Sequence, residues 1–274
     1  MLIGRLDLAI QPYVVMGILN LTPDSFSDGG LYLDVDAAVE RALQMESEGA
    51  GIIDIGGEST RPGARPLKVD EEIARVVPVI KSIRKKSDIA ISVDTSKALV
   101  MEAAVEAGAN MINDVRALQE EGALKAALSL NVPVCLMHMQ GQPRSMQNKP
   151  EYKHVVNEVM DFLKQRIEAC EHVGIPSDQI MLDPGFGFGK TLDHNLSLLK
   201  HLSDFVKMDF PVLMGISRKS MLGHITGNEV DQRLEAGLAT TALGFQAGVR
   251  IFRVHDVKAT VDVLKVCYAV ATAK

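Results

Sequence analysis

Side chains able to bind or polarise a small molecule occur at eight places along this sequence, each directly after a short apolar run. An Asp, Asn or Ser in such a position could simply cap the following helix. Caps do not require His, Lys or Arg, however, because the helix dipole disfavours cations at that end. The whole set therefore predicts a binding or catalytic rim, formed by Asn20, Gly56-Gly57-Glu58-Ser59-Thr60-Arg61, Asp94, Asn113-Asp114, His138, Asp183, Ser217-Arg218-Lys219 and His255.

The elements that would position these side chains alternate regularly along the chain. Apolar, mostly β-branched runs predict eight strands: Val14–Leu19, Gly51–Ile55, Ile89–Val93, Met111–Ile112, Val134–Met137, Ile180–Leu182, Val212–Gly215 and Ile251–Val254. Amphipathic stretches between them predict helices over Asp36–Glu48, Asp70–Lys85, Lys97–Ala107, Gly122–Leu130, Val155–His172, Leu192–Lys207, Arg233–Ala247 and Val257–Ala271. Within the second helix, we expect Pro78 to cause a kink or a break.

Eight strands that each precede a helix predict a parallel sheet closed into a (β/α)8 TIM barrel, which is an α/β fold. All the polar strand ends would then meet at one rim, where the active sites of such barrels lie. An open, doubly wound sheet remains an alternative. No linker or shift in composition divides the chain, so we expect one domain spanning residues 1–274.

Composition narrows the class of function. The 29 basic and 35 acidic residues give a net charge of −6 with no basic block, which argues against nucleic acid as a partner. No run approaches the ~18 apolar residues of a membrane span, and the first residues lack a signal-peptide pattern, so we expect a cytoplasmic protein. Cys135, Cys170 and Cys267 form no CxxC pair, and we expect buried free thiols.

One glycine-rich stretch has some of the residues of a nucleotide-binding loop. In the stretch from Gly185 to Thr191, the first glycine of a P-loop would fall at Pro184, and the third glycine of a dinucleotide fingerprint would fall at Lys190. Neither ATP nor NAD is therefore predicted.

The long connections from Leu21 to Leu33 and from Glu58 to Leu67 contain Gly and Pro, and we interpret them as mobile covers over the rim.

Several segments resemble the signature motifs of the dihydropteroate synthase family. They follow in the right order and span essentially the whole chain, about one per barrel unit. The matching segments are Met16-Gly-Ile-Leu-Asn-Leu-Thr-Pro-Asp-Ser-Phe-Ser-Asp-Gly-Gly30, Asp54-Ile-Gly-Gly-Glu-Ser-Thr-Arg-Pro-Gly63, Ser92-Val-Asp-Thr95, Ile112-Asn-Asp114, Cys135-Leu-Met-His-Met139, Leu182-Asp-Pro-Gly-Phe-Gly-Phe-Gly-Lys190, Gly215-Ile-Ser-Arg-Lys-Ser-Met221 and Arg253-Val-His-Asp-Val257.

That resemblance implies a reaction. A dihydropterin carrying a CH2–O–diphosphate would be joined to 4-aminobenzoate, giving 7,8-dihydropteroate and diphosphate in tetrahydrofolate biosynthesis. By resemblance, Asp94, Asn113 and Asp183 accept hydrogen bonds from the pterin, Lys219 donates to it, and Thr60 belongs to the pterin diphosphate site. Such charge-assisted bonds contribute roughly 1.5–3 kcal/mol each.

The same resemblance assigns the leaving group and the metal. Arg253, His255 and Asn20 would hold the diphosphate, with Asn20 also reaching a Mg2+ ion, which prefers oxygen ligands and retains waters. The expected catalytic set is Asp94, Asp183, Lys219, Arg253 and His255. Early cleavage of the C–O bond would leave a methylene cation, which buried carboxylates stabilise before the amine attacks. His138 has two interpretations, as a packed rim histidine or as a site residue.

The second substrate is expected to bind last, in a pocket completed by the two long loops. Its carboxylate would lie near the start of the helix after the seventh strand, where anions are favoured. Asp28 would receive the amine. By resemblance the residues of this pocket are Phe26, Asp28, Thr60, Arg61, Pro62, Gly187, Phe188 and Ser220. The family also implies a homodimer that pairs through the late helices.

Two other functions remain possible from the sequence. A related barrel transferase would move a methyl group from methyltetrahydrofolate to a corrinoid, but it would not need the first loop or the Ser-Arg-Lys-Ser segment. A non-catalytic pterin sensor would be expected to have lost Arg61, Lys219 or Arg253, and all three are present. Diphosphate release with and without 4-aminobenzoate distinguishes these cases.

Overall fold

The structure is a computed structural model that describes residues 1–22, 34–59, 66–141, 146, 147 and 149–274. Its first two strands, β1 (Leu2–Ile3) and β2 (Leu6–Asp7), form an antiparallel hairpin. Eight parallel strands follow: β3 Val14–Asn20, β4 Ile52–Gly56, β5 Ala90–Asp94, β6 Met111–Asp114, β7 Val134–Met137, β8 Ile180–Asp183, β9 Leu213–Met214 and β10 Ile251–Val254.

These eight strands form one sheet in the order β8-β7-β6-β5-β4-β3-β10-β9, so that strands adjacent in sequence are adjacent in space. The two ends of the sheet meet at a parallel bridge between Leu182 and Val212. There the backbone N–H of Leu182 donates to the carbonyl of Pro211 at 2.9 Å. The predicted (β/α)8 barrel is therefore confirmed, and the open doubly wound sheet is excluded.

Helices surround the barrel at α1 Val35–Ser47, α2 Val69–Arg84, α3 Ala98–Ala107, α4 Ala123–Leu130, α5 Val155–Val173, α6 Leu192–Lys200, α7 Leu202–Val206, α8 Ser220–Thr226, α9 Leu234–Gln246 and α10 Val257–Ala271. The predicted break at Pro78 is wrong, because α2 continues through it. Val76, Val79 and Ile80 are fully buried around that proline, so side-chain packing holds the helix together across the missing hydrogen bond. The predicted helix from Leu192 to Lys207 is divided at His201.

Side chains inside the barrel form an apolar lower level. Each of the eight strands contributes at least one residue: Val14 and Met16 from β3, then Ile52, Ala90, Met111, Cys135, Met181, Leu213 and Ile251. The N-terminal hairpin closes this end, since Ile3 is fully buried against the same cluster. A side-chain N–H of Arg250 holds the segment after the hairpin by donating to the carbonyl of Leu8 at 2.6 Å. The sequence did not predict this hairpin, because two-residue strands carry no recognisable alternation.

The remaining differences from the predicted elements are small. The strand at Met111 is two residues longer than predicted, and the strand at Val212 is shorter. Cys135 and Cys170 are buried free thiols, as predicted, but Cys267 is only half-buried because it lies between the exposed Val266 and Tyr268 on α10. Across the part of the chain that the structure describes, we find no helix both long and apolar enough to cross a membrane.

Candidate active site

The upper level of the barrel interior is polar and centres on the guanidinium of Arg253. Its Nε donates to Asp54 Oδ2 at 2.6 Å, and a terminal nitrogen donates to Asp94 Oδ2 at 2.7 Å. The Asn113 amide also donates to Asp54 Oδ2, at 3.2 Å. These side chains come from β10, β4, β5 and β6, whose neighbouring registers bring their carboxyl ends to one level. The strands thus build a buried floor of alternating charge.

Asp183 adds a third carboxylate to this floor. Its side chain accepts the backbone N–H of Gly185 at 2.7 Å, so it does form the turn that an Asp before Pro184 can form. The second carboxylate oxygen has no such bond to the turn. Asp94, by contrast, is not a helix cap, because α3 begins after Lys97 without a side-chain cap. Both carboxylates are therefore available to a ligand at the mouth.

Burial controls the protonation of this site. It raises the pKa of Asp94 to about 7, against the lowering effect of Arg253, and the negative Asp54 raises it further. Burial also raises the pKa of Asp183, against the lowering effect of Lys219. For Lys219, burial lowers the pKa to about 8, although Asp183 opposes that shift. Asp94 and Lys219 therefore change charge near neutral pH, as groups at functional sites commonly do.

Lys219 lies beside a wall formed by the turn after β8. Its ammonium donates to the carbonyl of Phe186 and lies 4.6 Å from the centre of the Phe188 ring. A Cβ built on Gly187 would lie only 3.1 Å from Lys219 Cδ, so the backbone of the turn touches the lysine side chain. A cation, an aromatic face and a bare backbone segment thus adjoin the anionic floor, which suits a second, aromatic ligand.

His255 has different neighbours from Arg253. Its Nδ1 lies 3.1 Å from Ser217 Oγ, and its backbone N–H donates to the same oxygen at 3.2 Å. Arg218, at φ 58°, donates from Nε to Asp256 at 3.0 Å, which fixes the segment between Ser217 and Lys219. Ser220 is exposed at the start of α8, a helix of seven residues.

Asn20 ends β3 at the mouth, close to the floor. A Cβ built on Gly56 would lie 3.7 Å from Asn20 Oδ1 and 3.9 Å from Asp94 Oδ2, so both oxygens converge over a residue without a side chain. We find no hydrogen bond from the Asn20 amide within the described residues. No cluster of three His, Cys, Asp or Glu side chains suited to a metal occurs in those residues either. An ion held mainly by ligand oxygens and water would fit this arrangement.

His138 is a packed rim histidine, 6% exposed, whose ring meets Phe162 edge-on at 4.9 Å between centroids. Its Nδ1 lies 2.9 Å from Nζ of the buried Lys190. Burial, followed by the nearby Lys190 charge, lowers the pKa of His138 to about 2, so the ring is neutral.

Five predicted site residues lie outside the described residues: Phe26, Asp28, Thr60, Arg61 and Pro62. Most of both long loops also lies outside them.

Sequence reasoning did not assign a role to Asp54, although it lies at the centre of the floor. Its side chain is fully buried on β4, and one of its oxygens, Oδ1, has no hydrogen-bond partner among the described residues. The available signal was a carboxylate inside the apolar run Ile52-Ile-Asp-Ile55, because a buried charge requires a partner. Asp114, which follows Asn113, instead organises the backbone by accepting the N–H groups of Arg116 and Leu118.

A TIM barrel whose mouth holds three buried carboxylates, two cations and an aromatic wall defines an enzyme that binds a flat, polar heterocycle. Residues 16–255 match the family of pterin binding enzymes. The dihydropteroate synthase of Haemophilus influenzae is 50% identical over 268 residues, which cover 98% of this chain and 97% of that protein. This chain belongs to the pterin binding enzymes, among the dihydropteroate synthases.

Solved structures agree with this placement. The Yersinia pestis dihydropteroate synthase with a sulfonamide drug complex has a TM-score of 0.93 at 48% identity, covering 99% of both chains. The Xanthomonas albilineans dihydropteroate synthase in complex with 7,8-dihydropteroate has a TM-score of 0.88 at 46% identity, covering 98% of this chain and 97% of that one.

Proposed function

We propose that this chain condenses (7,8-dihydropterin-6-yl)methyl diphosphate with 4-aminobenzoate, forming 7,8-dihydropteroate and diphosphate. The observation that carries the proposal is the floor at the carboxyl ends of the barrel strands, where the buried Asp54 and Asp183 and the 10% exposed Asp94 lie around Arg253 and beside Lys219. The 7,8-dihydropteroate bound to the X. albilineans relative is the product of this reaction.

The floor matches the hydrogen-bonding edge of a pterin. The amino group and ring N–H groups of the heterocycle are donors, and the carboxylates of Asp94 and Asp183 and the Asn113 amide oxygen can accept from them. Lys219 supplies a donor for the acceptor atoms of the ring. Since a charge-assisted hydrogen bond contributes roughly 1.5–3 kcal/mol, loss of one carboxylate weakens pterin binding by about 10- to 150-fold.

The chemical step needs no strong base. The C–O bond to the diphosphate breaks, its electron pair leaves with the diphosphate oxygen, and the positive charge on the methylene carbon spreads into the dihydropterin ring. The carboxylates of Asp94 and Asp183 stabilise that charge from fixed positions at the barrel mouth. The amine of 4-aminobenzoate then forms the C–N bond and loses a proton. Arg253 and His255 are proposed to hold the departing diphosphate.

The second substrate is proposed to bind above the pterin, against the wall of Gly187 and Phe188 and beside Lys219. The aromatic ring of 4-aminobenzoate matches the Phe188 face, and its carboxylate is proposed to lie near Ser220, where α8 begins. The other residues of this pocket belong to the two loops: Phe26, Asp28, Thr60, Arg61 and Pro62.

We also propose that Mg2+ assists this site, with Asn20 as its protein ligand. The convergence of Asn20 Oδ1 and Asp94 Oδ2 over Gly56 supports the proposal. When bound, the ion would neutralise charge on the diphosphate. The test measures diphosphate affinity by calorimetry with Mg2+ and with a chelator, in the wild type and in Asn20→Ala. Mg2+ should increase affinity at least tenfold in the wild type and less in the variant, and equal gains would contradict the role of Asn20.

The assembly and location of the protein are further proposals. A homodimer is supported by exposed apolar side chains on the late helices, namely Leu243 on α9 and Val266 and Val270 on α10. Sedimentation equilibrium of the wild type and of Val266→Glu tests it, and a monomeric wild type would contradict it.

A cytoplasmic location is consistent with the free thiols of Cys135 and Cys170. Fractionation of cells that produce the protein would check it.

The central experiment measures diphosphate release and product formation with and without 4-aminobenzoate. We expect release to require 4-aminobenzoate and to equal dihydropteroate formed. Asp183→Ala and Lys219→Ala should each lower kcat/KM at least 10-fold while the proteins stay folded, and the exposed Lys200→Met serves as the control. Pterin binding without release would indicate a sensor, and methyl transfer from methyltetrahydrofolate would indicate the corrinoid-dependent class. Normal rates in folded Asp183→Ala and Lys219→Ala would refute the proposed function.

A further inference from the structure

The turn between β8 and α6 has an unusual backbone environment. It spans residues 185–189, and we call it the glycine turn. Each of its five successive carbonyl groups accepts a hydrogen bond from a side chain rather than from regular secondary structure. Lys190 donates to Gly185 and Phe188, Lys219 to Phe186, Gln147 to Gly187 and Tyr152 to Gly189.

Lys190 makes two of these five contacts from behind the turn. Its Nζ lies 2.8 Å from the Gly185 carbonyl and 3.0 Å from the Phe188 carbonyl, and the third close acceptor is His138 Nδ1 at 2.9 Å. The residue is only 3% exposed. An ammonium group has three N–H donors, so these three acceptors satisfy it completely. Burial lowers the pKa of Lys190, and the neighbouring Asp183 carboxylate opposes that shift.

The front of the same turn faces the mouth of the barrel. Gly187 touches the side chain of Lys219, and the Phe188 ring lies beneath its ammonium. The Phe188 carbonyl, which belongs to the residue carrying that ring, is one of the two that Lys190 binds. The floor residues Asp94 and Asn113 lie on strands and make no contact with Lys190. The charge of Lys190 acts on the floor residue Asp183, but its hydrogen bonds go to the wall and to His138 and not to the floor.

We infer that Lys190 is a positioning residue for the aromatic second substrate: by binding the Gly185 and Phe188 carbonyls it orients the wall that this substrate contacts. The inference rests on the proposed function. It assigns Lys190 no contact with either substrate and no part in the chemical step. Loss of its donors should leave the Phe188 carbonyl without its partner and the Gly185 carbonyl with only the backbone N–H of Phe188, at 3.1 Å. The turn would then rearrange to pair the Phe188 carbonyl with water.

The first test compares Lys190→Met, which keeps the length of the side chain but not its donors, with the exposed Lys200→Met as the control. Steady-state kinetics are measured with each substrate varied in turn. We expect KM for 4-aminobenzoate to rise at least tenfold in Lys190→Met, while KM for the pterin diphosphate changes less than threefold. Lys200→Met should match the wild type. An equal rise in both KM values, or no rise in either, would overturn the inference.

A milder variant covers the case in which Lys190→Met does not fold. Tyr152→Phe removes only the hydroxyl that donates to the Gly189 carbonyl at 2.8 Å. A two- to fivefold rise in KM for 4-aminobenzoate alone is expected, because four of the five carbonyl contacts remain. Equal KM values in Tyr152→Phe and the wild type would then count against control of this wall by its carbonyl contacts, and so against the inference.

Amide hydrogen exchange separates this inference from the proposed function, because it needs no turnover. In the peptide covering residues 184–190, exchange should be at least tenfold faster in Lys190→Met than in the wild type or Lys200→Met. Unchanged exchange would overturn the role of Lys190 even in an active enzyme. A wild type that exchanges as expected but forms no dihydropteroate would refute the proposed function instead.

Discussion

Replacement of Asp54 by Asn tests the charge arrangement of the floor. The substitution keeps the shape of the side chain but removes its negative charge, so the 2.6 Å contact with Arg253 loses its ionic character. Removing one partner of a buried ion pair lowers the free energy of unfolding by about 3–5 kcal/mol when the other partner is left alone. Arg253 keeps Asp94 here, so we expect the smaller loss of a charged hydrogen bond, about 1.5–3 kcal/mol. Expressed in kcat/KM, that loss is about 10- to 150-fold.

The same substitution should move the pH dependence in a defined direction. Asp94 titrates with a pKa of about 7 because burial raises it and Arg253 only partly opposes that, while the Asp54 charge adds to the increase. Two carboxylates bound to one guanidinium lie on the order of 5 Å apart, and their repulsion is roughly 1–3 kcal/mol, or roughly one to two pKa units. Without the Asp54 charge, the pKa of Asp94 falls, and its ionised form persists to lower pH.

The assay is kcat/KM for the pterin diphosphate between pH 5 and 9, which reports the essential groups of the free enzyme. In the wild type, activity should fall as the pH drops through about 7, and in Asp54→Asn that limb should lie roughly one to two units lower. Ser92→Ala is the matched control, since the buried Ser92 hydroxyl on the neighbouring strand has no hydrogen-bond partner among the described residues. If kcat/KM of Asp54→Asn falls at the same pH as in the wild type, or at a higher pH, this electrostatic account is refuted.

Other perturbations give equally direct outcomes. Burial lowers the pKa of Lys219 to about 8, so its ammonium is lost above that pH and kcat/KM should fall there. In Lys219→Arg the positive charge persists to higher pH, so the fall in kcat/KM should move to higher pH. A fall at the same pH as in the wild type would show that another group causes it. Gly185→Ala should reduce the free energy of unfolding by at least about 3 kcal/mol, since backbone strain and overpacking combine. Its φ is +71° and an added Cβ would lie 1.8 Å from the His138 carbonyl oxygen. Gly227→Ala, at φ +77° with nothing within 4 Å, is the control and should cost about 1 kcal/mol in urea unfolding. Equal costs for the two variants would contradict the steric argument.

The sequence predicted the barrel because each strand is a short apolar run that ends in a polar residue. This pattern located Asp94, Asn113 and Asp183 at the ends of their strands, and the structure brings all three to the floor. It could not separate the two faces of a strand, because both faces of a barrel strand are buried and no alternation marks the interior. Asp54 was therefore passed over, although its neighbours in the run were assigned correctly to a strand.

Contacts distant in sequence account for the rest. Lys190 entered the sequence analysis as the end of a matching family segment and in a failed dinucleotide-fingerprint match, without a role, yet its partners include His138, 52 residues away. The interpretation of His138 as a packed rim histidine is confirmed by its burial and its contact with Phe162. The break predicted at Pro78 is wrong because core packing holds α2 together there, and the alternative of a kink stays a prediction. The predicted roles of the loop residues remain predictions.

The hairpin at the amino terminus makes the barrel a well with a single opening. Ile3 and the apolar lower level fill the other end, so the residues that the structure describes leave no second route into the interior there. Two ligands stacked in such a well must enter in a fixed sequence, and whatever lies deeper can leave only after the layer above it has gone. A compound that occupies the upper layer would thus retain the molecule beneath it, and the residence time of the lower molecule should lengthen when the upper layer is filled.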